Sequence, residues 1–195
     1  MYEVAVAIIR VIVRIVFGLH VEGLENIPKE GGAVIAPNHT TWFDPVAVAC
    51  AVKRPVHFMG KAELFRNRFL SRLFRRAYAF PVKRGLADRE AIRTAIDRLT
   101  DGNLVGIFPE GTRVRPGEEQ PLQGGAVYIA AKAGVPIIPV GISGVTPLRP
   151  FKKIVVRVGE PVNLGGPRRI DKTEIDEVSL AISKQIADLL RRNLG

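Results

Sequence analysis

The octapeptide Asn38-His39-Thr40-Thr41-Trp42-Phe43-Asp44-Pro45 lies between two apolar runs. Residues 33–36 before it predict a short buried strand, and residues 46–52 after it predict a helix. His39 and Asp44 have four residues between them. In one helix they would therefore occupy different faces, and in one strand they would lie roughly 16 Å apart. Their side chains can meet only if the chain turns back, and the polar and proline residues of the octapeptide favour such a turn.

A carboxylate that meets a histidine can fix the tautomer of the ring and stabilise the imidazolium that forms when the ring takes a proton. Imidazole titrates near neutrality and is therefore suited to act as a general base. A structural interpretation stays open beside this one. Asp44 followed by Pro45 is also typical of a helix N-cap with proline at the first helical position. The two roles of Asp44 are compatible because a carboxylate has two oxygens.

The composition narrows the class of protein. The chain has 195 residues and a net charge of +10, which indicates an anionic partner: phosphate groups, an anionic membrane surface or nucleic acid. Its single cysteine excludes an internal disulfide and a cysteine-based zinc site. The three histidines, at 20, 39 and 57, do not cluster, so we expect no metal site.

The first 18 residues predict an amphipathic helix. Residues 4–17 are apolar except for Arg10 and Arg14, which are four apart and so share one helical face. The run is shorter than the roughly 20 residues of a transmembrane helix, and it lacks a signal-peptide cleavage pattern. We expect residues 1–18 to associate with a membrane, with Arg10 and Arg14 among the side chains that contact it, and residues 19–195 to form the catalytic domain. The alternative is a core helix that packs over the sheet with both arginines outward.

A second basic amphipathic segment spans residues 64–77. Apolar residues at helical spacing alternate there with five arginines, a pattern typical of helices that lie on anionic lipid. The alternative is a surface helix whose arginines are solvated. The side chains that we predict to contact a membrane in this segment are Phe65, Phe69, Arg72 and Phe74.

Short apolar strands alternate with helices along the rest of the chain, which favours an α/β domain with a mixed, mostly buried sheet flanked by helices. Three predicted strands end in polar pairs: His39 with Asp44, Lys83 with Arg84, and Glu110 with Arg113. Sites in α/β domains gather in the loops beyond strand ends. A base beside several cations suits a phosphorylated substrate whose hydroxyl must lose a proton. Glu110 could orient Arg113, accept from that hydroxyl, or cap Thr112.

Four stretches together resemble the sequence blocks of the glycerolipid acyltransferase family, and most closely its bacterial members that acylate lysophosphatidate. They are Asn38-His-Thr-Thr-Trp-Phe-Asp44-Pro, Phe80-Pro-Val-Lys-Arg84-Gly, Phe108-Pro-Glu-Gly-Thr-Arg113 and Val135-Pro-Ile-Ile-Pro139-Val-Gly-Ile-Ser-Gly. The likeness spans roughly residues 20 to 160, in the order of the family. His39 and Asp44 alone are a weak signal, but the Glu-Gly-Thr-Arg block after a later strand makes the match specific.

The resemblance implies a fold like that of glycerol-3-phosphate acyltransferase and a role for each block. His39 would be the general base for the sn-2 hydroxyl of lysophosphatidate, and Asp44 would orient it. Pro139 would belong to the acyl-donor region. The residues implied to bind the phosphorylated acceptor are Lys83, Arg84, Glu110, Gly111, Thr112 and Arg113.

The resemblance also implies the partners. An acyl thioester, either acyl-CoA or acyl carrier protein, would be the donor substrate, and no cofactor would be needed. The protein would sit on the cytoplasmic face of the cell membrane as a peripheral or monotopic protein that contacts an anionic membrane surface. One departure is the stretch Gln123-Gly124-Gly125, where many relatives have lysine and glycine. One candidate cation is therefore missing.

Other functions stay open at this point. The acceptor could be glycerol 3-phosphate, another lysophospholipid or a lyso-amino-acid lipid. A basic protein that binds a membrane or nucleic acid without catalysis is a further alternative, although no recognised nucleic-acid module is present and we expect no nucleic acid. A serine hydrolase is disfavoured because the chain has no Gly-x-Ser-x-Gly elbow.

Overall fold

The described parts of the chain form a mixed seven-stranded sheet in the order β1-β7-β6-β2-β5-β3-β4. The computed structural model describes residues 2–83, 88–114 and 123–192. The strands are β1 (His20–Glu22), β2 (Ala33–Pro37), β3 (Val56–Lys61), β4 (Phe80–Val82), β5 (Leu104–Gly106), β6 (Ile137–Ser143) and β7 (Val155–Val158).

The direction of the strands brings many chain segments to one edge of the sheet. Strands β2 to β6 are mutually parallel, whereas β7 runs antiparallel to β6 and β1 runs parallel to β7. The carboxyl ends of β2 to β6 therefore lie together, and β1 and β7 begin there. We call this the strand-end edge. It carries the segments that follow β2, β3, β4 and β5, the connection from β6 to β7, and the residues that lead into β1.

Helices cover both faces of the sheet. The described helices are α1 (Tyr2–Phe17), α2 (Asp44–Ala51), α3 (Arg68–Arg76), α4 (Arg89–Thr100), α5 (Gly125–Ala133) and α6 (Lys172–Arg191), with short 3₁₀ helices at Leu24–Asn26 and Ala62–Phe65. Helix α3 has no buried residue and is not one of the covering helices. Alternate residues of a strand point to opposite faces. Ala33 and Ile35 of β2 join the core beneath α1 and α2, and Val34 and Ala36 join the core beneath α4, α5 and α6.

Because both faces are covered, every residue of β2 is buried, which accounts for its uninterrupted apolar sequence. The predicted α/β domain with a mixed, buried sheet is confirmed. The predicted helix after the octapeptide is also present, but it begins at Asp44 rather than at residue 46, with Phe43 as its N-cap.

Helix α1 packs on α2, and Val13 is buried in the core. Ile12 and Ile15 are exposed. The Arg10 guanidinium turns towards the protein and donates to the carbonyl oxygens of Ala49 and Val52 at 3.3 and 2.8 Å, at the carboxyl end of α2. Arg14 is exposed. In the described ranges, no helix combines the length and the apolar character needed to cross a bilayer. Membrane association of residues 1–18 stays a prediction.

Candidate active site

The chain turns back after β2 and brings His39 to Asp44, with 3.0 Å between His39 Nδ1 and Asp44 Oδ2. Asp44 is fully buried at the first turn of α2. Its Oδ2 also accepts from the backbone N–H groups of Thr40 and Thr41, each at 2.7 Å, and its Oδ1 accepts from the Thr41 hydroxyl at 2.9 Å. These bonds satisfy the buried carboxylate and fix its direction towards the imidazole.

The contact with Asp44 determines which nitrogen of His39 can take a proton. A carboxylate only accepts hydrogen bonds, so Nδ1 carries the hydrogen of the neutral ring. The lone pair of the ring is then on Nε2. This is the tautomer in which an imidazole can remove a proton from a hydroxyl, while the carboxylate stabilises the charged ring that results.

Contacts from the segment after β5 hold the backbone and ring of His39. The Glu110 carboxylate accepts from the His39 N–H at 2.7 Å, and the His39 carbonyl oxygen accepts from the Val114 N–H at 2.8 Å. The His39 ring stacks on Phe108, with 3.9 Å between ring centroids. Strands β2 and β5 are neighbours, so this segment fixes His39 directly across the strand-end edge.

Burial raises the pKa of Glu110 from its ordinary 4.5 to about 7. The hydrogen bond from the His39 N–H opposes this shift, and the negative charge of Asp44 adds to it. Glu110 therefore changes protonation near neutrality, next to the His39–Asp44 pair. Sequence reasoning left its role open among three alternatives, and none of them was this contact with the His39 backbone.

Asn38 was predicted only as a residue that favours the turn, and the structure shows that it also positions the chain before His39. Its side-chain amide donates to the Ile142 carbonyl oxygen at 3.1 Å and accepts from the Ile142 N–H at 2.7 Å. The amide thus extends the pairing of β2 with β6 past Pro37, at the residue before His39. The sequence also gave no role to Phe108, whose ring stacks on that of His39. An amide that follows a strand-ending proline is a usable signal for Asn38, because it offers the donor and acceptor of a backbone unit.

Lys83 and Arg113, two of the residues implied to bind phosphate, follow strands that end at the same edge. Lys83 follows β4 with an exposed side chain, and its N–H donates to the Asp88 carboxylate at 2.8 Å. Arg84 lies outside the described residues. Arg113 is exposed after β5. Strand β3 separates β4 from β5, so the ends of these two strands are roughly 10 Å apart.

Gly111 has a φ of +69°, in the left-handed region, and a Cβ there would lie 2.5 Å from the Gln123 side chain. A side chain at this position would be strained and crowded, so the Glu-Gly-Thr-Arg turn requires glycine. Thr112, next in the chain, is exposed. The sequence predicted that Gly111 and Thr112 shape the acceptor pocket, and the turn places them between Glu110 and Arg113.

Pro139 lies inside the sheet, opposite Ala36 of β2, and its carbonyl oxygen accepts from the Gly159 N–H at 2.8 Å. Of the residues predicted to contact a membrane, Phe69 and Arg72 are exposed on α3. Phe65 and Phe74 are half-buried and pack together, with 5.9 Å between ring centroids. Across the described ranges, no group of three or more His, Cys, Asp or Glu side chains could hold a metal ion.

The fold agrees with comparisons to known proteins. The family model described as Acyltransferase matches residues 18–143. The chain therefore belongs to the acyltransferase family, which confirms the resemblance drawn from the four sequence blocks.

Individual relatives extend the likeness beyond that range. A 1-acyl-sn-glycerol-3-phosphate acyltransferase of Bacillus subtilis is 32% identical over 194 residues, which cover 97% of this chain and 96% of that protein. A protein of the same name from Streptococcus pneumoniae is 32% identical over 178 residues, covering 87% of this chain and 65% of the relative. The crystal structure of the 1-acyl-sn-glycerophosphate (LPA) acyltransferase PlsC from Thermotoga maritima superposes with a TM-score of 0.76 and 25% identity, covering 100% of this chain and 83% of that one.

Proposed function

We propose that this protein is a 1-acyl-sn-glycerol-3-phosphate acyltransferase that uses His39 as a general base. The observation that carries the proposal is the hydrogen bond of 3.0 Å between His39 Nδ1 and the buried Asp44 carboxylate. It leaves the lone pair on Nε2 for a substrate hydroxyl. The names of the relatives support lysophosphatidate as the acceptor.

The proposed reaction is a direct transfer. His39 Nε2 takes the proton of the sn-2 hydroxyl as its oxygen attacks the thioester carbonyl carbon. The tetrahedral intermediate then breaks its carbon–sulfur bond, and the imidazolium returns the proton to the departing sulfur. A thiol, with an ordinary pKa of about 8.5, is a good leaving group that needs little acid assistance. Asp44 stabilises the imidazolium between the two proton transfers.

Cys50 supports the direct route over an acyl-enzyme. It is the only cysteine of the chain, and it is buried in the core. Burial raises the pKa of its thiol, although the positive charge of Arg10 opposes that shift. A buried thiol with a raised pKa is a poor nucleophile. The chain therefore has no cysteine suited to carry the acyl group.

The acceptor phosphate would bind to the cations of the strand-end edge. Lys83 and Arg113 have exposed side chains on this edge. An arginine can grip a phosphate through two hydrogen bonds, and its charge is permanent. We propose that these two residues, together with Arg84, hold the phosphate and so bring the sn-2 hydroxyl to His39. Acyl-CoA or acyl carrier protein would supply the acyl group.

We further propose that the strand-end edge faces a membrane, as a peripheral or monotopic attachment on the cytoplasmic side. Trp42, Phe69 and Phe151 support this, because their exposed fractions are 67, 75 and 87% and each lies on a segment at or next to this edge. Exposed aromatic side chains beside basic residues are typical of surfaces that bind lipid. A lipid acceptor would then reach His39 from the bilayer.

The experiment is acyl transfer from a labelled thioester, supplied as acyl-CoA or as acyl carrier protein. One acceptor is tested at a time, in vesicles if it is a lipid and in the surrounding buffer if it is soluble. The acceptors are lysophosphatidate, glycerol 3-phosphate, lysophosphatidylglycerol and a lyso-amino-acid lipid. We expect labelled phosphatidate to form fastest. Faster transfer to another acceptor would overturn the proposed substrate and retain the chemistry. No transfer to any acceptor by a folded protein would overturn the function.

A further inference from the structure

Helix α3 carries an open, arginine-lined surface depression, called here the α3 cavity, which is separate from the His39–Asp44 site. Its volume is about 480 Å³. The side chains that line it are Phe65, Arg68, Ser71, Arg72, Arg75 and Arg76. The arginines occupy one side of the helix because residues three and four apart share a face. Arg75 also lies over the Phe65 ring, 5.7 Å from its centroid, which restrains that guanidinium beside the ring.

The arginines of this cavity lie close enough to repel one another. Arg68, Arg72 and Arg76 follow one another at four-residue spacing, and like charges at this spacing destabilise a helix. Within the parts of the chain that the structure describes, none of the cavity arginines forms an ion pair with a carboxylate. A bound anion would remove the repulsion between them. The cavity therefore has the chemistry of an anion site.

An exposed apolar strip runs beside the arginine face. Phe69 and Leu73 are four apart, and their exposed fractions are 75 and 53%. A ligand that covers both surfaces must join an anionic head to an apolar body. A phospholipid has this form, with its phosphate over the arginines and its acyl chains against the strip. A nucleotide has the phosphate but would leave the strip uncovered.

We infer that the α3 cavity binds the phosphate headgroup of a phospholipid, and that it prefers a phosphomonoester. A phosphomonoester carries a charge of about −1.5 to −2 at neutral pH and presents three terminal oxygens. Several guanidinium groups can each make paired hydrogen bonds to such a group, whereas a phosphodiester offers one charge and fewer oxygens. The cavity would thus favour phosphatidate over phosphatidylglycerol.

The inference rests on the proposed function in one respect, the setting of the enzyme at a phospholipid surface. The proposed acceptor and product are both phosphomonoester lipids. A site on α3 would retain such lipids beside the strand-end edge, where the catalytic pair lies. Binding to α3 needs no turnover, so it can be measured even if acyl transfer is absent.

The test is co-sedimentation of the full-length protein with phosphatidylcholine vesicles that contain either phosphatidate or phosphatidylglycerol, at mole fractions that give equal surface charge. We expect the protein to bind the phosphatidate vesicles more tightly. In the double variant Arg72→Gln/Arg76→Gln most of this preference should be lost, and binding should weaken roughly tenfold or more. Circular dichroism would verify that the variant is folded, as expected when repulsive charges are removed.

Three controls distinguish binding at the α3 cavity from binding elsewhere on the protein. Lys172→Gln/Lys184→Gln removes the same charge from exposed positions on α6 and should retain the preference. Arg113→Gln changes the proposed catalytic phosphate site and should retain most of the preference. Soluble CoA at a concentration matched to the lipid phosphate should not displace the protein.

Several results would overturn the inference. Equal binding of the wild type to the two charge-matched vesicles would show only general attraction between a basic protein and anionic lipid. Loss of the preference in Arg113→Gln alone would assign it to the catalytic site. Displacement by CoA would assign the cavity to the nucleotide of the acyl donor.

Discussion

The Glu110 carboxylate accepts a hydrogen bond from the backbone N–H of His39, with 2.7 Å between Oε2 and the nitrogen. The two residues are 71 positions apart, and this contact ties the end of β2 to the end of β5. Because Asp44 holds the ring of the same histidine, the position of the proposed base depends on contacts from two segments. We therefore expect Glu110 to affect the proposed catalysis through the position of His39.

Replacement of Glu110 by alanine should lower both stability and turnover. The His39 N–H would lose its acceptor, which costs about 1–3 kcal/mol of unfolding free energy. A displaced base should lower kcat on the order of ten- to a hundredfold, with a smaller change in KM. Glu110→Gln retains an acceptor oxygen and should therefore keep most of the stability and most of the turnover of the wild type. Denaturant unfolding and steady-state kinetics measure the two effects, and equal losses in the two variants would exclude the positioning role.

The raised pKa of Glu110 predicts a pH-dependent contribution to stability. The folded pKa is about 7 and the ordinary value is 4.5, so the folded protein holds this proton more tightly than the unfolded chain does. The stabilisation of the folded state by the protonated Glu110 is fully present below pH 4.5 and is lost as the pH rises through about 7. Glu110→Gln cannot titrate. The difference in unfolding free energy between wild type and variant should therefore change between these pH values, and a constant difference would contradict the raised pKa.

Substitutions of Arg10 and Arg14 should separate the contribution of α1 to stability from its contribution to membrane binding. Arg10 donates to carbonyl oxygens at the carboxyl end of α2, where a cation also interacts favourably with the helix dipole. Arg10→Met should lower the unfolding free energy by about 1–3 kcal/mol. Arg14 is exposed, so Arg14→Gln should leave stability unchanged and weaken binding to anionic vesicles. Thermal unfolding and vesicle co-sedimentation distinguish the two, and the same stability loss in both variants would refute the separation.

Cys50→Ala should retain acyl transfer. The thiol is buried and its pKa is raised, so it does not serve as a nucleophile in the direct mechanism. The smaller side chain should cost about 1 kcal/mol of stability, typical of a modest change in a core. Turnover per folded molecule should stay within about twofold of the wild type. A loss of activity without unfolding, or a covalent acyl group on Cys50 in the mass spectrum, would support an acyl-enzyme.

The sequence predicted the architecture because apolar runs and turn residues are local signals. The alternation of strands and helices predicted the α/β domain, and the turn residues between His39 and Asp44 allowed the two side chains to meet. The family resemblance, rather than periodicity, linked the octapeptide to the Glu110 block far along the chain. The order of the strands was not predicted, and it is this order that makes β2 and β5 neighbours.

Other features depend on tertiary contacts, which the spacing of residues in the sequence does not reveal. Arg10 and Arg14 have the spacing of one helical face, but the long side chain of Arg10 reaches the carbonyl oxygens of α2 while Arg14 stays exposed. The partner of Asn38 is 104 positions away, on β6. The amide of Asn38 could be recognised as a backbone mimic, but the strand it pairs with could not.

The measurement that tests the central claim most directly is the rate of labelled phosphatidate formation from lysophosphatidate and an acyl thioester, with wild type beside His39→Ala. Removal of a general base lowers rates by roughly a hundredfold or more. We expect wild type to form labelled product and the folded variant to form product near the background rate. Equal rates for the two proteins would contradict general-base catalysis by His39.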